Sequence, residues 1–142
     1  MNEQADLLRR AAADFQTVEI LLAQELSDPF QLDIVAYHVQ QTVEKLMKHE
    51  MTTIGVEFKR VHEIDVLYEQ MEENGLNPPK WIWPVAELLT DYAVKTRYIK
   101  NLVASKKKLT ELVPLVRAYL ADQQALQKEM LVDENATASN HT

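Results

Sequence analysis

Glycine is almost absent from this chain, which has only Gly55 and Gly75 among its 142 residues. A fold built from many short strands needs tight turns, and glycine supplies the backbone angles that such turns require. Apolar residues instead recur at spacings of three and four, as Leu8, Ala11 and Phe15 do near the start. The sequence therefore predicts an all-α fold with few connections.

Turn-forming residues divide the chain into five predicted helices. Ser27-Asp28-Pro29, Gly55 and Asn77-Pro78-Pro79 interrupt the helical pattern, and Ser105 is suited to begin the last helix. The predicted helices cover residues 3–25, 30–53, 62–73, 81–92 and 106–130. Because the connections are short, we expect one domain over residues 1–130, an antiparallel bundle of about five helices. The small polar residues of 131–142 predict a flexible C-terminal tail.

The composition excludes several classes of protein. The chain has no cysteine, which rules out disulfides, cysteine-ligated zinc and a cysteine nucleophile. The polar start Met1-Asn2-Glu3 does not resemble a signal peptide, and no apolar run is long enough to span a membrane. Histidines are too widely spaced to predict a metal site, so no metal is expected. We also expect no cofactor and, since no apolar run is long enough, no membrane contact. We predict a cytoplasmic protein.

Positive charge is concentrated in one segment of an otherwise acidic chain. No acidic residue lies between Asp91 and Glu111, and this segment carries +6, so the net charge of −7 leaves −13 for the rest. Such a cationic segment predicts an anion or phosphate site, although the alternative of a solvated loop and helix start stays open. The basic residues of the segment are Lys95, Arg97, Lys100, Lys106, Lys107 and Lys108.

The second predicted helix has a polar face besides its apolar stripe. At 100° per residue the polar face lies far from the stripe of Val39, Val43 and Leu46. Its members are Tyr37, Gln41, Glu44 and Lys48, with Lys45 at the edge. Tyrosine and glutamine can hydrogen-bond a base or a sugar, and the two lysines can balance phosphate charge. The alternative is an ordinary solvated face in which Glu44 and Lys48 form a weak ion pair.

Four motifs resemble those of HEPN domains. The run from Tyr37 to Lys48, with two glutamines before Glu44-Lys45, resembles their second-helix signature, and Val61-His62-Glu63-Ile64 resembles the start of their third helix. Leu88-Leu89-Thr90-Asp91-Tyr92 with Thr96-Arg97-Tyr98 resembles the end of their fourth helix, and Ser105 the start of their last. The resemblance extends over about residues 5–124.

This resemblance implies a dimeric helical bundle that binds a nucleotide or RNA. It also implies a partner, a minimal nucleotidyltransferase in a toxin–antitoxin-like pair. Many HEPN domains are metal-independent ribonucleases through an arginine followed after four to six residues by histidine, but here Arg97 is followed at those distances by Leu102, Val103 and Ala104. Without that histidine the 2′-hydroxyl of RNA lacks its proton acceptor. We therefore expect a member without ribonuclease activity and predict no catalytic residue.

Three hypotheses follow from the sequence. The first is a dimeric nucleotide-binding module of HEPN type. The second is a metal-independent ribonuclease toxin in which His62 replaces the missing histidine. The third is a purely structural subunit that binds its partner through a helical face. In the first hypothesis the nucleotide-binding residues are Tyr37, Gln41, Glu44, Lys45, Lys48, His62, Arg97 and Tyr98, and the phosphate patch is Lys95, Lys100, Lys106, Lys107 and Lys108.

Overall fold

The structure, a computed structural model, describes residues 3–98 and 104–140, with side chains for 3–94 and 104–136. These residues form α1 (Glu3–Leu22), α2 (Phe30–Thr53), α3 (Ile64–Glu73), a 3₁₀ helix (Lys80–Val85), α4 (Ala86–Tyr98) and α5 (Lys106–Asn140). The predicted all-helical bundle is thus confirmed. In the described part of the chain, no helix is both long enough and apolar enough to cross a membrane.

The ends of α2 follow from local capping. Asp28 Oδ1 accepts a hydrogen bond from Phe30 N at 2.9 Å, and Gln31 Oε1 accepts one from Asp28 N at 3.1 Å, so the two side chains cap the start reciprocally. At the other end Gly55 has φ 73°, and Val56 N donates to Met51 O at 3.0 Å. Glycine adopts this left-handed angle without a steric penalty, which confirms Gly55 as the predicted stop.

The core lies between α2 and the helices around it. The predicted inward stripe of α1 is confirmed at Leu8, Ala11, Phe15 and Val18, which are buried, whereas Leu22 at its end is only partly buried. The largest fully buried apolar side chains are Leu46, Met47, Met51, Ile64, Leu67, Met71, Ile82, Leu89 and Leu109. Burial of side chains of this size stabilises the fold by roughly 1.5–3 kcal/mol each. Helix α2 therefore forms the centre of the bundle.

Two predicted helix starts are displaced. Helix α3 begins at Ile64 rather than His62, because Ile64 N donates to Thr90 Oγ1 at 2.9 Å and Glu63 is extended, with ψ 115°. The 81–84 region is a 3₁₀ helix rather than the first turn of an α-helix. Pro84 has no N–H to donate, and the regular α4 starts at Ala86 only after it.

Helix α5 is longer than predicted. Ser105 begins it as expected, since Ser105 Oγ accepts from Lys108 N at 3.2 Å. The helix then continues past Pro114 to Asn140, ten residues beyond the predicted end at Met130. No glycine or proline follows Pro114, and alanine and glutamate favour helix, so nothing local ends it at 130. That residues 131–142 are flexible stays a prediction.

A buried polar network joins α2 to α5. Tyr119 Oη donates to Glu50 Oε1 at 2.9 Å, and Gln123 Nε2 donates to the same oxygen at 3.3 Å. Burial raises the pKa of the Glu50 carboxyl above 4.5, although the Tyr119 hydrogen bond and His49 oppose the shift. Burial, followed by the charge and the hydrogen bond of Glu50, also raises the pKa of Tyr119 well above 10. Burial therefore outweighs the hydrogen bond from Tyr119 and shifts the Glu50 carboxyl towards its neutral form.

Glu50→Gln is expected to stabilise the protein at neutral pH. Because the pKa of Glu50 is raised by folding, its contribution to stability is present at acid pH and is lost as pH rises through the folded-state pKa. Glutamine keeps an oxygen for Tyr119 without the charge, so the free energy of unfolding should rise at pH 7 by less than about 1 kcal/mol, since Glu50 is only half-buried. Urea unfolding at pH 4 and pH 7 measures this gain. It should disappear at pH 4, and the exposed Glu57→Gln should show no gain at either pH.

Candidate functional site on the second helix

Glu44 is the centre of a polar cluster on α2. Its Oε2 accepts from Lys48 Nζ at 3.1 Å, and its Oε1 lies 2.9 Å from His62 Nδ1 and 3.0 Å from Gln40 Nε2. The side chains of Glu44 and Lys48 are only 5% and 10% exposed. We refer to Gln40, Glu44, Lys48 and His62 as the Glu44 cluster. It is a desolvated charge pair with a histidine bound to its carboxylate.

The segment between α2 and α3 covers this cluster. Phe58 is buried, and its ring centroid lies 5.3 Å from Lys48 Nζ and 4.6 Å from Arg60 Cζ. Gln40 Nε2 also donates to His62 O at 3.1 Å, which holds the backbone of the segment against α2. Glu44 and Lys48 were predicted to lie far from the apolar stripe, and this part of the polar face is buried rather than solvated.

A second cluster lies beside the first and joins α2 to α1. Asp14 Oδ2 accepts from Lys45 Nζ, and Asp14 Oδ1 lies 2.9 Å from His38 Nδ1. Gln41 Oε1 is 3.4 Å from Lys45 Nζ, and Gln41 Nε2 donates to Gln40 Oε1 at 2.7 Å, which links the two clusters. We refer to Asp14, His38, Gln41 and Lys45 as the Asp14 cluster. Tyr37 packs edge-on against His38, with ring centroids 5.4 Å apart.

Both predicted phosphate-binding lysines of α2 already have a carboxylate partner. Lys45 is paired with Asp14 and Lys48 with Glu44, so the four charges of the two clusters cancel. Lys45 is 21% exposed, and a ligand can therefore reach it more easily than Lys48. An anion at this face has to compete with Asp14 for Lys45 or gain positive charge from His62.

His62 combines a fixed ring with an accessible edge. Its side chain is 72% exposed, while Nδ1 lies against the nearly buried Glu44 carboxylate. A carboxylate only accepts, so Nδ1 carries the proton and Nε2 of the neutral ring is a proton acceptor. The third-helix motif predicted His62 for the site, and the structure brings it to Glu44. A carboxylate that orients an imidazole is also the arrangement of general bases.

For the predicted site residues at the end of α4, the structure describes only the backbone. Lys95, Arg97 and Tyr98 lie in the last turns of α4, but their side chains are outside the described residues, and Lys100 is outside them entirely. Arg97 lies about 10 Å further along the axis of α4 than Thr90, whose Oγ1 accepts from Ile64 N at the start of α3, next to His62.

The cationic start of α5 is separate from the Glu44 cluster. Asp33 Oδ1 accepts from Ala104 N at 2.6 Å, which holds the beginning of α5 against the first turn of α2. Lys106 and Lys107 are exposed there, and Lys108 lies 3.5 Å from Glu111. Asp33 and Lys48 are about 22 Å apart along α2. The described lysines at the start of α5 therefore lie beside the first turn of α2, well away from Lys48 and the Glu44 cluster.

Asp33 marks the contact of α4 and α5 with the start of α2. It is buried, and its Oδ2 has no hydrogen-bond partner among the described residues. Burial raises the pKa of Tyr92 to about 12, and the nearby Asp33 charge adds to the shift. The carboxylate therefore lies between the end of α4 and the start of α5, where the cationic segment is attached to the bundle.

Sequence reasoning missed four residues of the site, for different reasons. Gln40 adjoins Gln41 and stands one turn before Glu44, so its i,i+4 spacing to Glu44 was a usable signal. Asp14, His38 and Phe58 come from other helices or faces, and no local pattern predicts their contacts. In the described part of the chain, no three histidine, aspartate or glutamate side chains are grouped to hold a metal ion.

The comparison with protein families gives a match that includes both clusters. The family model of the HEPN domain matches residues 4–125, which takes in α1 to α4 and the first half of α5. The chain belongs to the HEPN domain family. HEPN domains are generally related to nucleotides or RNA, and they commonly dimerise. Comparisons with curated proteins and with solved structures give no significant match.

Proposed function

We propose that this HEPN domain is a dimeric binding module for a nucleotide or for the phosphate backbone of RNA. The proposed ligand lies on the partly open side of α2, in contact with Tyr37, Gln41, Lys45 and His62. The exposed ring of His62, fixed by the buried Glu44, is the observation that favours this position. Glu44 and Lys48 then act by holding His62 and the 56–63 segment, because they are themselves nearly buried.

The polar groups of this face suit a phosphate ester with a base. Lys45 offers an ammonium group that is shared with Asp14, and a phosphate oxygen competes for it. Gln41 can donate to or accept from a base edge, and the ring of Tyr37 offers a stacking surface. By the family resemblance, Arg97 and Tyr98 complete the wall from α4. The lysines at the start of α5 lie towards the other end of α2 from His62 and fit the backbone of a longer RNA.

A nucleotide is expected to raise the melting temperature of the protein. At a concentration of about 10–100 Kd the stabilisation is about 1.4–2.7 kcal/mol, which corresponds to roughly 3–8 °C. Differential scanning fluorimetry with millimolar ATP and GTP in chelator measures the rise. His62→Ala and Lys45→Ala should remove it, whereas Lys128→Ala, an exposed lysine of α5, should keep it. No rise, or an equal rise in all three variants, contradicts the proposed site.

The proposed protein partner is the minimal nucleotidyltransferase implied by the resemblance, in a toxin–antitoxin-like pair. Co-purification of the two proteins tests it, with charge reversal at Lys106, Lys107 and Lys108 as the variant. Loss of the complex indicates that the cationic start of α5 is used. A complex that is insensitive to charge reversal and to nucleotide favours the purely structural subunit instead.

The geometry of His62 also favours a second candidate function, metal-independent cleavage of RNA. Glu44 holds Nδ1, so Nε2 can take the proton of a 2′-hydroxyl as its oxygen attacks the phosphorus, and the protonated ring can return that proton to the departing 5′-oxygen. A cation such as Arg97 stabilises the phosphate. Incubation of the purified protein with RNA in chelator tests this activity. Cleavage that is lost in His62→Ala and kept in His141→Ala supports it. The absence of cleavage leaves the binding module as the function.

A further inference from the structure

Asp14 of α1 has two partners on α2 and contacts each of them through a different carboxylate oxygen. Oδ2 accepts from Lys45 Nζ, and Oδ1 lies 2.9 Å from His38 Nδ1. Because a carboxylate only accepts, His38 Nδ1 carries the proton of this second bond. The Asp14 side chain is 15% exposed, so the two bonds replace most of the contacts with water that its charge loses on folding.

Lys45 is also held by a neighbour on its own helix. Its ammonium group lies 3.4 Å from Gln41 Oε1, and Gln41 is itself only partly buried. The contact with Gln41 does not involve α1, so it persists when the bond between Lys45 and Asp14 is broken. The ammonium group then keeps its position on the partly open side of α2.

We propose that Asp14 is an intramolecular inhibitor of the ligand site, because it occupies on Lys45 the position that a phosphate oxygen of the ligand takes. In the free protein the carboxylate binds both Lys45 and His38. In the bound protein it releases Lys45 and keeps its bond to His38. The inference rests on the proposed function, since it concerns the regulation of the same site.

His38 makes this exchange possible. A nearly buried carboxylate that lost all its partners would oppose binding strongly. Since Oδ1 remains bonded to His38, only Oδ2 has to be freed, and a small rotation of the Asp14 side chain is sufficient. Helix α1 keeps its place in the bundle, because its core contacts come from a different face, that of Leu8, Ala11, Phe15 and Val18.

An inhibitor of this kind lowers the affinity of Lys45 for every anion by the same factor. We expect this factor to be about tenfold, as for one partly buried ion pair. A phosphate ion that contacts Lys45 alone binds weakly even without the inhibitor, so it leaves the site of the free protein almost empty. A nucleotide tolerates the same factor, because its proposed contacts with Tyr37, Gln41 and His62 add to its affinity. The site therefore selects ligands that join a phosphate to a second group.

Asp14→Asn tests the inhibitor with a nearly isosteric change. Asparagine keeps an oxygen for a hydrogen bond and removes the charge that competes for Lys45. Isothermal titration calorimetry in chelator should show that the variant binds ATP about tenfold more tightly than the wild type. In differential scanning fluorimetry, inorganic phosphate should raise the melting temperature of the variant at about one tenth of the concentration that the wild type requires.

Two further variants show whether the gain belongs to the Lys45 contact. Asp122→Asn removes the same charge from an exposed position of α5, and its affinity for ATP should stay within about twofold of the wild type, since solvent and salt screen that position. Asp14→Asn combined with Lys45→Met should lose the gain, because the released ammonium group is then absent.

His38→Phe tests the second partner in a protein that keeps Asp14. Phenylalanine preserves a ring against Tyr37 but offers no hydrogen bond to Asp14, whose remaining partner is then Lys45. ATP should bind about fivefold more weakly than to the wild type. The same substitution in the Asp14→Asn protein should change the affinity by less than about twofold, a dependence on Asp14 that a purely structural role of the ring does not produce.

The inference is overturned if Asp14→Asn binds ATP no more tightly than the wild type, or if Asp122→Asn shows an equal gain. A gain that persists without Lys45, or an equal effect of His38→Phe with and without Asp14, also overturns it. When the wild type binds ATP in these experiments, the proposed function stands and the inhibitor alone fails. When neither the wild type nor Asp14→Asn binds ATP, both fail.

Discussion

Glu44→Ala is expected to lower the free energy of unfolding by about 3–5 kcal/mol. The substitution leaves the Lys48 ammonium nearly buried without its carboxylate, and it also removes the partner of His62 Nδ1. Since Gln40 donates to both Glu44 and His62, the segment that covers the cluster loses part of its attachment to α2. Urea unfolding measures the loss.

The matched control is Glu69→Ala, which removes an exposed carboxylate of α3 and should change the free energy by less than about 0.5 kcal/mol. The double variant Glu44→Gln with Lys48→Met removes both charges and should recover most of the stability, because the desolvation cost of the pair also disappears. If Glu44→Ala lost less than about 1 kcal/mol, as exposed ion pairs do, the Glu44 cluster would not be the desolvated pair described above.

His49→Ala is expected to be the other strongly destabilising change, by about 3 kcal/mol. The ring is fully buried, with Nδ1 2.9 Å from Gln123 Oε1 and Nε2 3.1 Å from Gln127 Oε1. Gln127 Oε1 also accepts from Gln4 Nε2 at 2.6 Å, so the histidine connects α2 to both α5 and α1. Alanine leaves a cavity, and it removes the ring nitrogens that lie against the Gln123 and Gln127 amide oxygens.

His49→Leu separates the two contributions. Leucine fills most of the volume but cannot hydrogen-bond, so its loss of about 1–3 kcal/mol reports the lost hydrogen bonds of the ring rather than the cavity. Gln124→Ala, an exposed position of α5, serves as the control and should be nearly neutral. Thermal unfolding of all three variants measures the differences. A His49→Leu protein as stable as the wild type would mean that the network contributes nothing to the fold.

Local patterns were sufficient to predict most of the fold. The 3.6-residue periodicity of α1 predicted its buried face, and the Asp28-Pro29 and Gly55 signals predicted both ends of α2. These signals act over a single turn of helix, where sequence neighbours are also spatial neighbours. The end of α5 was wrong for the opposite reason, because polar composition does not end a helix that contains no helix-breaking residue near its end.

The candidate site could be predicted only in part. One helical wheel placed Glu44 and Lys48 together, and the structure confirms their i,i+4 pairing at 3.1 Å. The helical wheel could not show that Phe58 covers the pair or that Asp14 neutralises Lys45, since both contacts depend on how separate elements pack. These contacts matter for function, because they leave His62 as the more accessible polar side chain and the two lysines paired with carboxylates.

Binding of a phosphate-bearing ligand at the His62 side of α2 can be tested by nuclear magnetic resonance of the protein with isotope-labelled histidine, titrated with ATP in chelator. Four histidines give separate ring signals, and His49 and His141 serve as internal references. We expect a saturable shift of the His62 ring signals, with a smaller change at His38 and little at His49 and His141. Unchanged His62 signals at millimolar ATP, or changes confined to the other rings, would contradict it.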